Sequence, residues 1–135
     1  MKTTIIGQWN GPVVKSQGKK VVNKSSFEIG LVVEGQAKLL APRKTGLLAA
    51  SITTQSKTDG STPESPALAS DTISKPVSDM EVLVGTPIEY GPHMEFGTVK
   101  TDAQPFLRPA LALARGESLS IIEIEGKKHF REYLK

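Results

Sequence analysis

The sequence predicts an α+β fold: a small antiparallel sheet packed by two main helices, with an extended N-terminal arm and a long projecting loop. Three observations predict it. Two stretches, 20–40 and 106–125, repeat apolar or small residues at three- and four-residue spacing. Two shorter stretches between them, 51–57 and 80–85, read as strands. The chain has 135 residues, which suits one domain of roughly 100–200 residues. It divides into an arm over 1–20 and a single domain over 21–135.

The arm mixes apolar pairs (Ile5, Ile6; Val13, Val14) with Gly7, Gly11, Pro12 and Gly18, so no regular period survives. An extended segment is expected there, with at most a short strand or hairpin. Trp9, the only tryptophan, has two roles open to it: fastening the arm to its own domain, or anchoring it on a neighbour as a candidate interface residue. From Lys20 the pattern turns helical. Val22, Ser26, Ile29, Val33, Ala37 and Leu40 line one face, and Pro42 stops the run by pushing its predecessor out of helical geometry. Gly30, Gly35 and several β-branched residues weaken the helix without changing its period.

Thr45 is a plausible N-cap for a short turn through Leu47–Ala50. Ser51 to Lys57 then alternates, with Ile52 and Thr54 on one face and Thr53 and Gln55 on the other. Asp59 to Ser78, rich in Ser, Thr and Pro, is too polar for a core and reads as a projecting loop. Met80 to Gly85 is the clearest strand, expected antiparallel to 51–57. Residues 86–98 pack Gly, Pro and aromatics densely and are expected to be irregular. Leu107, Leu111, Ala114, Ser118, Ile121 and Ile122 form the second helix, with Pro109 tolerated in its first turn and an end or bend near Gly126.

Composition excludes several classes of chemistry. With no cysteine, thiol catalysis, cysteine-bound zinc and disulfide scaffolds are ruled out. Apolar runs fall far short of the roughly 20 residues of a membrane-spanning helix, and the N-terminus lacks the apolar core of a signal peptide. A soluble protein made in the cytoplasm is expected. Residues 1–44 hold eight Lys/Arg against Glu28 and Glu34, while the remainder is net acidic. That asymmetry reads either as a solvated basic arm or as opposite-sign ends by which neighbouring subunits attract. A DNA-binding module using residues 15–24 is a further reading, although interleaved aromatics are missing.

No catalytic constellation emerges. His93 and His129 lack a neighbouring nucleophile. Glu89 and Glu95 are six apart, and Glu123 and Glu125 two apart, neither spacing sharing a helix face. Glu95, just before Phe96-Gly97-Thr98, fits a carboxylate accepting backbone amides better than an acid–base catalyst. There is no phosphate loop, dinucleotide fingerprint or cluster of metal ligands. The expectation is a protein that is not an enzyme, with no metal and no cofactor.

Several blocks occur together in order: Ala41-Pro42, Thr45-Gly46-Leu47, Ser51-Ile52, Val84-Gly85-Thr86, Tyr90-Gly91-Pro92, Glu95-Phe96-Gly97-Thr98 and Gln104-Pro105-Phe106-Leu107-Arg108-Pro109-Ala110-Leu111. Over residues 22–113 the chain resembles the minor tail-component, or head–tail joining, family of tailed bacteriophages. It departs at Gly91, where the family often has alanine. The resemblance implies a structural virion protein that forms a ring in the neck, completing the tail or joining it to the head. It further implies a homo-oligomeric ring, hexamer or dodecamer, between head-connector and tail proteins. Genomic DNA would pass through without sequence-specific binding. A tail terminator that stops tube growth is the alternative role.

The residues that carry the resemblance are Pro42, Thr45, Gly46, Ser51, Gly85, Tyr90, Glu95, Phe96, Gly97, Thr98, Pro105, Phe106, Leu107, Arg108 and Pro109. Gly97 supplies a backbone conformation that other residues resist, placing Phe96 as an aromatic anchor on a sharp turn. Phe106 and Leu107 between prolines form a preordered apolar knob, Arg108 offers a forked contact to a carboxylate, and Tyr90 is expected against the knob. The plainer reading is that these residues fasten the C-terminal helix to the sheet.

Overall fold

Two long helices carry the molecule. The computed structural model describes residues 11–44, 46–65, 68 and 72–131. In chain order the elements are α1 (Gly11–Leu40), α2 (Leu47–Ser51), β1 (Thr53–Ser56), β2 (Val82–Gly85), α3 (Gly91–Phe96) and α4 (Leu107–Phe130). β1 and β2 pair antiparallel, Thr53 opposite Gly85 and Ser56 opposite Val82, and the two long helices pack on this small sheet. The mixed α+β fold is as the sequence predicts.

The expected arm is corrected over its second half, because residues 11–20 are helical. Pro12 does not block this, since first-turn amides have no intrahelical partner. Gly18 costs about 1 kcal/mol against alanine, and the first turns continue a helix that is packed from Val21 onward. Trp9 and the rest of 1–10 lie outside the described residues.

The buried row of α1 also differs from the predicted stripe. Val21, Ser25, Val33, Ala37 and, just beyond the helix, Ala41 are buried, whereas Val22 and Leu40 are exposed. The true row steps by four residues. A four-residue row runs obliquely across a helix, and it forms the ridge that packs between the ridges of a crossing partner. Phe106, Ala110 and Ala114 repeat the same step on α4. The helices run antiparallel: Lys24 Nζ lies 3.3 Å from a Glu125 carboxylate oxygen, and Ala37 shares a core with Ala110. That pairing carries α4 straight through Gly126, where an end or bend was expected.

Gly30 is where α1 approaches the sheet. A Cβ there would lie 2.6 Å from Thr54 Cγ2 and 2.7 Å from Val82 Cγ1, too close for any side chain. Next to it Glu34, expected off the apolar face, is buried. Its carboxylate accepts the hydroxyls of Thr54 (2.7 Å) and Ser61 (2.6 Å) and pairs with Lys38 (2.7 Å), which also reaches Glu64. The start of the 59–78 segment therefore does not project. Ser61 N–H donates to Thr54 O, Gly60 bridges Gln55, and Glu64 N–H donates to Ala50 O. These contacts close the outer edge of β1 and explain why all four of its residues are buried. The expected alternation of β1 faces is lost because both faces and the edge are covered.

Candidate functional site

Two of the resembling blocks, 95–98 and 104–111, fold as one corner, where α3 meets the start of α4. Residues 91–96, expected to be irregular, form a short helix with Pro92 in its first turn. Gly97 ends it at φ 76°, the left-handed region that side chains disfavour. A Cβ there would also lie 2.8 Å from the Ala103 nitrogen. The chain then turns through Thr98–Thr101, with Thr98 N–H donating to Thr101 O at 2.8 Å. Gln104 N–H returns to Met94 O at 2.7 Å, setting Pro105 and Phe106 beside α3.

Glu95 organises this corner. Its buried carboxylate accepts the backbone N–H groups of Phe106 (2.7 Å), Leu107 (2.9 Å) and Arg108 (3.1 Å). These are the opening amides of α4, which no helical carbonyl can serve. The next residue is Pro109, which has no N–H. Ala110 N–H already bonds to Phe106 O, so the donor count at this helix end closes with one carboxylate. The negative charge also sits at the positive end of the helix dipole. Burial works against that charge, but the amides of Leu107, Phe106 and Arg108 and the Arg108 side chain outweigh burial. Together they hold the carboxyl below the usual carboxylate range.

The sequence anticipates a forked contact from Arg108 to a carboxylate; the structure divides the fork between the carboxylate and the backbone carbonyl of Glu95. Nε donates to Glu95 Oε1 at 3.0 Å and Nη2 to the Glu95 carbonyl at 3.2 Å. Its guanidinium lies over the Phe96 ring, 5.0 Å from the centroid, within cation–π range. Phe96 itself is 68% exposed and Val99, at the turn beside it, is fully exposed. One face of the corner is thus stapled down and the other presents apolar side chains to solvent.

The remaining motif residues divide between core and surface. Phe106 is fully buried in the core with Leu48 and Ile52, so the expected knob is an internal plug, and Leu107 packs at its margin. Tyr90 does not pack on that plug. It lies beside a groove of about 410 Å³ lined also by Pro42, Leu47, Leu48 and Met94. Ser51 is buried, its hydroxyl 2.6 Å from that of Thr86, which follows Gly85. Gly46 precedes α2 at φ 73°. Thr45 lies outside the described residues, and Pro105 and Thr98 are exposed. Sequence reasoning missed Glu34 and Glu125, whose only local signals were their four-residue spacings to Lys38 and His129. Among the described residues no group of three His, Cys, Asp or Glu is placed to hold a metal ion. Comparison of the chain with protein-family models, curated proteins and solved structures finds no match.

Proposed function

We propose that the protein is a structural component of a tailed-phage particle, forming a ring in the neck that completes the tail or joins it to the head. What carries this reading is the Glu95 corner. There two blocks of the resemblance, 95–98 and 104–111, fold together, and their chemistry is architectural: a carboxylate capping a helix, a glycine in a left-handed turn, and an arginine holding an aromatic ring outward. An aromatic side chain fixed on a rigid turn is the kind of anchor that concentrates binding energy at protein interfaces. A closed ring needs two different complementary patches on each subunit. The exposed Phe96 and Val99 supply one, and the groove beside Tyr90 supplies a candidate for the second.

Two measurements test this. Electron microscopy of particles made without the protein should show full heads detached from tails of normal length; tails of irregular length would assign the terminator role instead. Separately, Phe96→Asp should cost no more than about 1 kcal/mol, the worth of an exposed ring stacked on a cation, yet abolish incorporation into particles. Normal particles containing the variant would sink the contact assigned to Phe96.

A further inference from the structure

We propose that the end of the molecule where the first half of α1 meets the last turns of α4 is a binding surface for the phosphate backbone of duplex DNA. The sequence separates these cations by a hundred residues, and only the antiparallel helix pair brings them together. The Lys24–Glu125 contact sets the register and places Lys127, Lys128 and Arg131 alongside the stretch of α1 that holds Lys19 and Lys20, with Lys15 one turn further along the same helix. With the Lys57–Asp79 pair, whose carboxylate lies near Lys19, this end holds eight Lys/Arg against four carboxylates, Glu28, Asp79, Glu123 and Glu125. The other described residues hold seven against eight, so the positive charge is concentrated here.

Most of these cations have no structural task. Lys24 and Lys127 pair with Glu125 and Glu123, but Lys15, Lys19, Lys20, Lys128 and Arg131 form no ion pair with a carboxylate among the described residues. Lys15 and Lys19, like Lys20 and Lys24, are four apart, a spacing at which like charges oppose each other on a helix. Along α1 the lysines span about 14 Å, the rise of about four phosphates on one DNA strand. Among the described residues the exposed aromatic side chains are Tyr90 and Phe96, both away from this end, and Phe27 and Phe130 here are half-buried. The surface therefore suits charge contact with a duplex backbone rather than stacking on unpaired bases. This holds for the isolated chain, whether or not it builds a ring.

The test is a titration of a short, mixed-sequence, fluorescently labelled duplex with the full chain at about 50 mM and about 200 mM salt. Binding should appear at low salt and weaken at high salt. The variant K15Q/K20Q/K128Q should bind about tenfold more weakly, with the slope of log affinity on log salt reduced by roughly 0.9 for each phosphate no longer neutralised. The control K44Q/K100Q, which removes exposed cations elsewhere, should shift affinity less than about twofold, and circular dichroism should show both variants folded. No binding at low salt, or equal weakening by both variants, overturns the proposal. So does salt-sensitive self-association that the triple variant abolishes while DNA stays unbound, which would assign this end to a neighbouring copy.

Discussion

Glu95 and Glu34 are both buried carboxylates that fasten one element to another, but they are satisfied by different kinds of partner. Glu95 takes three backbone amides fixed by the start of α4. Glu34 takes two hydroxyls and an ammonium, contributed by β1, the segment after it and the next turn of α1. Backbone donors cannot leave without unwinding a helix, whereas hydroxyls and lysines turn away at the cost of a rotamer. The contrast separates a joint that defines the fold from a clasp that tightens it.

Glu95→Ala should show the largest effect, stranding three buried amides and the Arg108 side chain. A loss of about 3–5 kcal/mol is expected, measured by urea unfolding, and a loss under about 1 kcal/mol would break the distinction. The same joint has a pH signature. Because the folded-state pKa of Glu95 lies below its ordinary value of 4.5, its contribution is present above that value and lost as the pH falls through the folded pKa. Glu95→Gln should therefore flatten the decline in stability below pH 4.5.

Glu34→Ala tests the clasp. Ser61 and Lys38 can turn to water and the buried Thr54 hydroxyl keeps the Gly30 carbonyl at 3.1 Å, so about 1–2 kcal/mol is expected, with 59–64 released from β1 and its amides exchanging faster. If it cost as much as Glu95→Ala, the difference between the two joints would vanish. Arg108→Lys should have the smallest effect, below about 1 kcal/mol, because the side chain is 63% exposed and solvent screens the pair. Loss of the fork and of the stack on Phe96 would appear instead as a looser ring in side-chain relaxation.

The same contrast explains what could be read from the sequence. Glu95 sits eleven to thirteen residues from its partners, inside one run punctuated by Gly97, Pro105 and Pro109, so its amide-accepting role was visible. Glu34 finds Thr54 and Ser61 at separations of twenty and twenty-seven residues, across a polar segment that composition alone marks as solvent-facing. The strand pairing was legible because Met80–Gly85 and Ser51–Lys57 are the two β-rich runs beside one loop. The buried row of α1 was not, since its four-residue step is imposed by the crossing helix, and no helical period by itself distinguishes Val21 from Val22. The early start of α1 was hidden by Gly11, Pro12 and Gly18, which punctuate the stretch as a loop would, although Pro12 is tolerated in a first helical turn.

The α1–α4 seam has a dynamic consequence. Its buried positions are mostly small: Ser25, Ala37, Ala110 and Ala114. Such side chains have few rotamers to freeze, so the seam closes at little entropic cost but gains little from each touching pair. Toward the start of α1 even this thins out, for residues 11–20 bury no side chain. Short helices with little packing are marginal in water. Amide protection should accordingly grade along the pair, highest around Ala37 and Ala110 and lowest near Val13, so that the molecule unzips from one end rather than opening at once.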